Sequence, residues 1–221
     1  VAATSHRDIS PLAPDTEVLT LPYGLSVRAA INSLISLPGV RFAEPDYVLH
    51  LDATPNDSYY TAGLLWGMYG DTTTPSSTFG SQAAEAWAAG YTGSKSIIVG
   101  DIDSGAQRNH PDLSPNLWTN PYETSNGVDD DGNGYVDDLY GWDFYYNDGY
   151  PYGAGESDHG THTAGTIGAA GGNSSGVVGV NWSVTILPVK IFGPGGFSQI
   201  SWSAAAVDYL TGLKLKHPEM D

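Results

Sequence analysis

Residues 96–101 carry Ile97, Ile98 and Val99 in one apolar, β-branched run, the composition of a buried strand. A long acidic loop follows, then a helix of small residues from about Gly160. A strand over Thr185–Ile191 and a helix from about Ser201 to Leu215 complete the order, and a short Ala-rich helix over Gln82–Ala89 precedes it. Strands that alternate with helices predict a parallel sheet covered by helices, an α/β domain. The 28 glycines are spread through motifs, with no internal repeat of the kind that builds a solenoid.

The front of the chain reads as a separate β-α-β unit. Glu17–Leu21 is a short strand, and Ser26 is an N-cap for a helix through Leu37 that carries Val27, Ile31, Leu34 and Ile35 on its apolar face. Pro38-Gly39 ends that helix. Val40–Phe42 and Tyr47–Leu51 are further strand candidates. From Asp52 to about Gly80 the sequence is polar and weakly patterned, as expected of a linker or a surface-draped segment. The expected division is therefore 1–52 and 53–221.

Composition excludes several function classes. Lys and Arg total 8 against 25 Asp and Glu, a formal charge of −17, so a phosphate backbone is a poor partner. No apolar run approaches the roughly 18 residues that cross a bilayer. Cysteine is absent, which removes disulfides, thiolate zinc sites and a Cys nucleophile. The chain opens on Val1 with neither Met nor signal peptide, so its beginning is expected to be missing or processed away.

The chemistry starts where the first strong strand stops. Asp103-Ser104-Gly105 puts a carboxylate at a carboxyl end, where open α/β sheets collect their functional groups, although the triplet alone also suits a solvated turn. Asp158-His159-Gly160-Thr161-His162 puts His159 at a helix start, a rigid place for a base that gives one ring nitrogen to a carboxylate and keeps the other for a nucleophile. His159 and His162 could instead be a metal pair, but no Glu lies between them in the metalloprotease arrangement. Gly172-Asn173-Ser174-Ser175-Gly176 satisfies Gly-x-Ser-x-Gly, with Asp208 and His217 in the α/β-hydrolase order. A nucleophile elbow joins a strand to a helix, whereas Ser174 follows a helix and leads into the β-like run Val177–Val180.

The acidic loop is the second chemical feature. Asp129, Asp131, Asn133 and Asp137 occupy positions 1, 3, 5 and 9 of an EF-hand-type loop, with Gly134 at 6 and the Tyr135 carbonyl at 7. Position 12 is Tyr140, so the closing bidentate ligand must come from elsewhere, and Asp138 is the candidate. Five carboxylates in ten residues repel one another without a cation, which favours calcium over a merely solvated loop. Asn56, Asn173 and Asn181 stand in Asn-x-Ser sequons, which chance also produces.

Val99-Gly100-Asp101-Ile102-Asp103-Ser104-Gly105 with His110-Pro111-Asp112-Leu113, followed by His159-Gly160-Thr161-His162-Thr163-Ala164-Gly165-Thr166-Ile167, resembles the subtilisin-like serine proteases, the subtilases. The likeness extends to Gly176–Val180 and Val189–Ile191, which resemble sheet strands after the His helix. In front, Val40–Tyr47 resembles the end of the family's inhibitory propeptide and Thr54-Pro55-Asn56-Asp57 the start of a mature enzyme.

The resemblance implies a three-layer parallel-sheet catalytic domain preceded by a small α+β propeptide domain, cleaved near residues 51–54. It implies a secreted serine endopeptidase acting on polypeptide substrates, with Asp103 orienting His159, the general base. It also implies that Gly196 and Ser198 line the edge that pairs with extended substrate, where Ile200 replaces a frequent aromatic, and that Asp112 and Asn173 join a second calcium site. The family's Gly-Thr-Ser-Met-Ala nucleophile motif and its oxyanion Asn are absent from these residues. The family's sheet strands beyond the last helix are absent too, which predicts an exposed edge and poor solubility of the chain alone. Two other readings stay open: an inactive pseudoprotease or calcium-binding interaction module on the same fold, and an acyl-hydrolase using Ser174.

Overall fold

The computed structural model describes residues 3–8, 16–46, 53–153 and 155–220. The chain divides into two compact units, Val1–His50 and Leu51–Asp221.

In the first unit, β1 (Ser5–Asp8) pairs antiparallel with β2 (Glu17–Thr20), Ser5 opposite Thr20 and Asp8 opposite Glu17. Helix α1 (Val27–Leu34) starts at Ser26, whose hydroxyl oxygen accepts a hydrogen bond from the Ala29 N–H at 3.2 Å. It ends three residues before the expected Leu37. The expected strand Val40–Phe42 does not form: the Val40 N–H turns back to the Leu37 carbonyl at 3.3 Å, and no described strand pairs with 40–42. Among the described residues the order is strand, strand, helix instead of strand, helix, strand. Ser-His-Arg-Asp at 5–8 has no apolar alternation to announce its strand. Tyr47–Leu51 lies outside the described residues.

The second unit begins with α2 (Ser58–Thr61), a 3-10 turn at Trp66–Met68 and α3 (Ala83–Ala88). This segment is not a draped linker. Tyr60, Tyr69 and Trp87 are buried together with Val178, and the Tyr69 hydroxyl donates to the Tyr60 carbonyl at 2.7 Å. The expected strand over 176–180 is likewise a loop. Val178 goes into that same core, and the N–H groups of Gly179 and Val180 bond to the Ala169 and Thr166 carbonyls.

The sheet contains β3 (Gly93–Asp103), β4 (Trp142–Asp143) and, after helix α4 (His159–Gly168), β5 (Ser183–Lys190); helix α5 (Ile200–Lys216) follows. The spatial order is β3-β5-β4 with every pair parallel, as the alternation of elements predicts. Side chains two residues apart share a face. Val184 and Ile186 of β5 meet Ala164 and Ile167 of α4, with Leu113 and Val99. Leu187 and Val189 meet Ala206, Tyr209 and Leu213 of α5 on the other face, with Trp118 and Trp142. Helix, sheet and helix form three layers, and the carboxyl end of β3 lies beside the start of α4.

Candidate active site

At the end of β3 the chain turns at Gly105, which takes φ +88°. The turn brings Asp103 to His159, the first residue of α4. His159 Nδ1 is 2.7 and 2.9 Å from the two Asp103 oxygens. The carboxylate also accepts from the Ser104 N–H at 2.6 Å and from Thr163 Oγ1 at 3.3 Å. Ser104 ties strand to helix: its hydroxyl accepts from the Gly160 N–H at 2.8 Å and donates to the Ser157 carbonyl at 3.3 Å. The two backbones approach so closely that a Cβ on Gly160 would collide with the Gly105 carbonyl oxygen. The small residues of α4 therefore set the distance between acid and base.

The Asp103 side chain is 11% exposed and that of His159 is 74% exposed. Burial acts upward on the Asp103 carboxyl, but the hydrogen bonds from His159 and Ser104 outweigh it and leave it below the usual carboxylate range. The hydrogen bond to Asp103, reinforced by its charge, raises the His159 imidazole above its ordinary value. With Nδ1–H donated to the carboxylate, Nε2 faces solvent with a free lone pair. That geometry can accept a proton from a nucleophile and return it. His162 is exposed on α4 and joins no cluster of metal-ligating groups among the described residues.

The acidic loop brings Glu123, Asp129 and Asp131 together, with carboxylate oxygens within 4.8 Å of one another. Asp129 accepts from the N–H groups of Asn133 and Gly134 at 3.0 and 2.8 Å, and Asp131 Oδ1 accepts from the Asn133 N–H at 2.8 Å. Glu123 Oε1 accepts from the Asp131 N–H at 2.9 Å, while Oε2 is buried with no partner. Burial raises the Glu123 carboxyl. Asp137, at φ +55°, turns instead to the N–H groups of Asn126 and Gly127. Asp138 is fully buried and accepts from Asn120, Asn133 and the Tyr209 hydroxyl at 2.8, 2.9 and 2.7 Å. The Tyr135 ring packs edge-on against Trp142 of β4 and Tyr209 of α5, at 4.9 and 4.8 Å between centroids.

A second polar cluster lies at the far end of α4. Asp112 accepts from Asn173 Nδ2 at 3.0 Å and from the Val177 N–H at 2.9 Å. Asp57 is fully buried; Oδ2 accepts from the Gly172 N–H at 2.9 Å and Oδ1 has no partner. Burial raises its carboxyl, and the neighbouring Asp112 adds to the effect.

A family model described as "Subtilase family" matches residues 94–217, more than half of the chain, from the second residue of β3 through α5. The chain belongs to the subtilase family. Among curated relatives, subtilisin-like protease 1 of Plasmodium berghei is 39% identical over 116 residues, 52% of this chain and 19% of that protein. The thermophilic serine proteinase of Bacillus sp. strain AK1 is 29% identical over 83% of this chain and 37% of its own length. Fervidolysin from Fervidobacterium pennivorans, a keratinolytic enzyme related to subtilisin, aligns with 22% identity over 75% of this chain and 21% of its own, at a TM-score of 0.46. The chain thus spans well under half of the length of these relatives.

In this subtilase, Gly196 and Ser198 follow β5 in a tight turn. The Gly193 N–H donates to the Phe197 carbonyl at 2.8 Å, Gly196 takes φ +79°, and the Ser198 hydroxyl is buried without a partner. Phe197 and Tyr145 both stand edge-on to Trp202 at 5.7 Å. Ser174 sits at φ +64° in the loop after α4, with its N–H on Asn56 Oδ1 at 2.9 Å, and not in a strand-to-helix elbow. Among the described residues no hydrogen bond or ion pair joins it to Asp208 or His217; His217 stacks on Tyr122 at 3.6 Å. Sequence reasoning missed Glu123 and Asp57. Neither stands in a motif with the group it joins; their place in the fold and their orphaned buried oxygens reveal them.

Proposed function

We propose that this subtilase is a serine endopeptidase in which Asp103 holds His159 and His159 is the general base and later the general acid. The observation that carries the reading is the 2.7 Å Asp103–His159 contact inside a chain matched by the family. His159 Nε2 takes the proton of a Ser hydroxyl as it attacks a peptide carbonyl, then delivers it to the leaving amine. The Ser and the oxyanion Asn belong to a segment outside these residues, which contain no Gly-Thr-Ser-Met-Ala. Substrate backbone lies along the Gly196–Ser198 edge. Residues 1–52 act as an inhibitory propeptide. A secreted location is supported by relatives such as the extracellular basic protease of Dichelobacter nodosus.

Calcium fits both acidic clusters. Their donors are oxygens, which suit a hard cation, and Glu123 Oε2 and Asp57 Oδ1 are buried lone pairs without hydrogen-bond partners. Glu123, Asp129 and Asp131 would hold one ion, in which Glu123 replaces the closing ligand that position 12 lacks. Asp57, Asp112 and Asn173 would hold another. Bound calcium supplies the positive charge that offsets the mutual repulsion of these carboxylates.

The test is expression of the coding sequence continued past Asp221. A fluorophosphonate probe should label it and casein should be cleaved, with both lost in His159→Ala. Labelling that survives His159→Ala but disappears in Ser174→Ala would replace this reading with the acyl-hydrolase. A folded, full-length protein that neither labels nor cleaves would leave an interaction module.

A further inference from the structure

Asp101 shares a face with the dyad but takes no part in it. It stands two residues before Asp103 on β3, so both side chains leave the sheet on the side covered by α4. The residue is 5% exposed, and Oδ2 is buried without a hydrogen-bond partner among the described residues. Val99, on the same face, belongs to the apolar cluster that includes Ala164 and Ile167 of α4. A carboxylate in such surroundings is costly, and burial makes the group hold its proton more tightly than an ordinary carboxyl.

Among the described residues, the charged groups that act on Asp101 are Asp103 and His159. Asp103 is on its own strand and His159 is on α4. On β5, Pro188 lies beside Asp101 in register and Lys190 beside Asp103. The Lys190 ammonium is held 2.5 Å from Asp143 and 3.5 Å from Glu156. The other histidine of α4, His162, is exposed, and α5 covers the opposite face.

We infer that Asp101 is a positioning residue for the Asp103–His159 pair, a buried carboxylic acid whose ionisation is coupled to that of the imidazole. The inference rests on reading His159 as the general base. Burial, then the charge of Asp103, pushes the Asp101 carboxyl up to about 7, while His159 acts in the opposite sense. Protonation of His159 therefore draws Asp101 towards its anion, and ionised Asp101 holds the proton on His159. As pH rises, a second negative charge appears behind the dyad and keeps the imidazole basic further into the alkaline range. One strand thus carries both the carboxylate that orients the base and a buried acid whose ionisation tunes it.

The test follows the ring nitrogens of His159 by NMR titration of the full 221-residue chain, alongside Asp101→Asn, Asp101→Glu and Asp103→Asn. Asp101→Asn should lower the His159 midpoint and turn a broadened curve into a simple one-proton curve, and Asp101→Glu should restore part of the shift. A His159 curve unchanged by Asp101→Asn but shifted by Asp103→Asn would overturn the inference and leave the general-base reading intact. A His159 unmoved by Asp103→Asn would overturn both. Where Asp101→Asn does not fold, the carboxyl carbon of Asp101 is followed in the parent chain. It should titrate near neutrality with a matching inflection at His159, and a carboxyl already ionised at mildly acidic pH would sink the idea.

Discussion

At Gly160 the backbone of α4 meets the Gly105 turn, and there is no room for a Cβ. Gly→Ala in a helix interior ordinarily stabilises by up to about 1 kcal/mol. Here the collision is with backbone, which cannot swing aside, and overpacking of this kind costs about 1–3 kcal/mol. Gly160→Ala should therefore lower the melting temperature and loosen His159 from Asp103, seen as a fall in the His159 NMR midpoint. An unchanged midpoint would mean that α4 shifts as a rigid body and keeps the contact. The same pairing gives a sign for pH. Because Asp103 raises the His159 imidazole, the stability it contributes is fully present below the ordinary imidazole range and is lost as pH rises through the raised value. In Asp103→Asn that loss should vanish from the pH dependence of denaturant midpoints. Asp103 and His159 were legible in sequence because each sits in a contiguous motif at the end of a recognisable element. Asp101 lies within the same motif, which gives no sign of its role. Its importance lies in which face it shares and in what it fails to bond, and no local pattern encodes either.

Lys190 of β5 and Asp143 of β4 are each 1% exposed and lie in register at 2.5 Å. Burial pushes the Asp143 carboxyl up, and the hydrogen bond from Lys190 opposes it. Removing one partner leaves the other charge buried, which typically costs about 3–5 kcal/mol. Lys190→Met should lose stability on that scale in urea denaturation, and Lys190→Met with Asp143→Leu should recover much of it. Equal losses in the single and double variants would show that packing, not charge, is at stake. The elements themselves were mostly readable. The strands at β3 and β5 and the helices at α3, α4 and α5 lie where periodicity and small-residue content predict them. The failures have physical causes. Residues 58–69 mix Tyr and Trp with Thr, Ser and Gly at no fixed period, so the burial of Tyr60 and Tyr69 left no signal. The valines at 177–180 look strand-like, but the Val177 N–H goes to the Asp112 carboxylate and the Val180 N–H to the Thr166 carbonyl of α4, and not to a ladder.

Over the whole molecule the charge is −17, and much of it is concentrated in the loop from Asp129 to Asp138. Calcium binding to the native state alone should add about 2.7 kcal/mol at a hundredfold excess over its dissociation constant. Melting with calcium and with a chelator checks this. Glu123→Gln should reduce the gain without abolishing it, because the Asp57 cluster remains, and identical melting in all conditions would remove the metal. The first unit, made separately, should slow a related active subtilase at micromolar concentration if it is an inhibitory propeptide. Tyr135 carries the acidic loop's interior to Trp142 and Tyr209. An indole ring in contact with the loop is an optical gauge built into the protein: an ion that tightens the carboxylates around Asn133 should shift the Tyr135 ring, and with it the Trp142 share of tryptophan emission. Filling of the loop can then be followed in real time on the unlabelled chain, whether or not a nucleophile is present to report through catalysis.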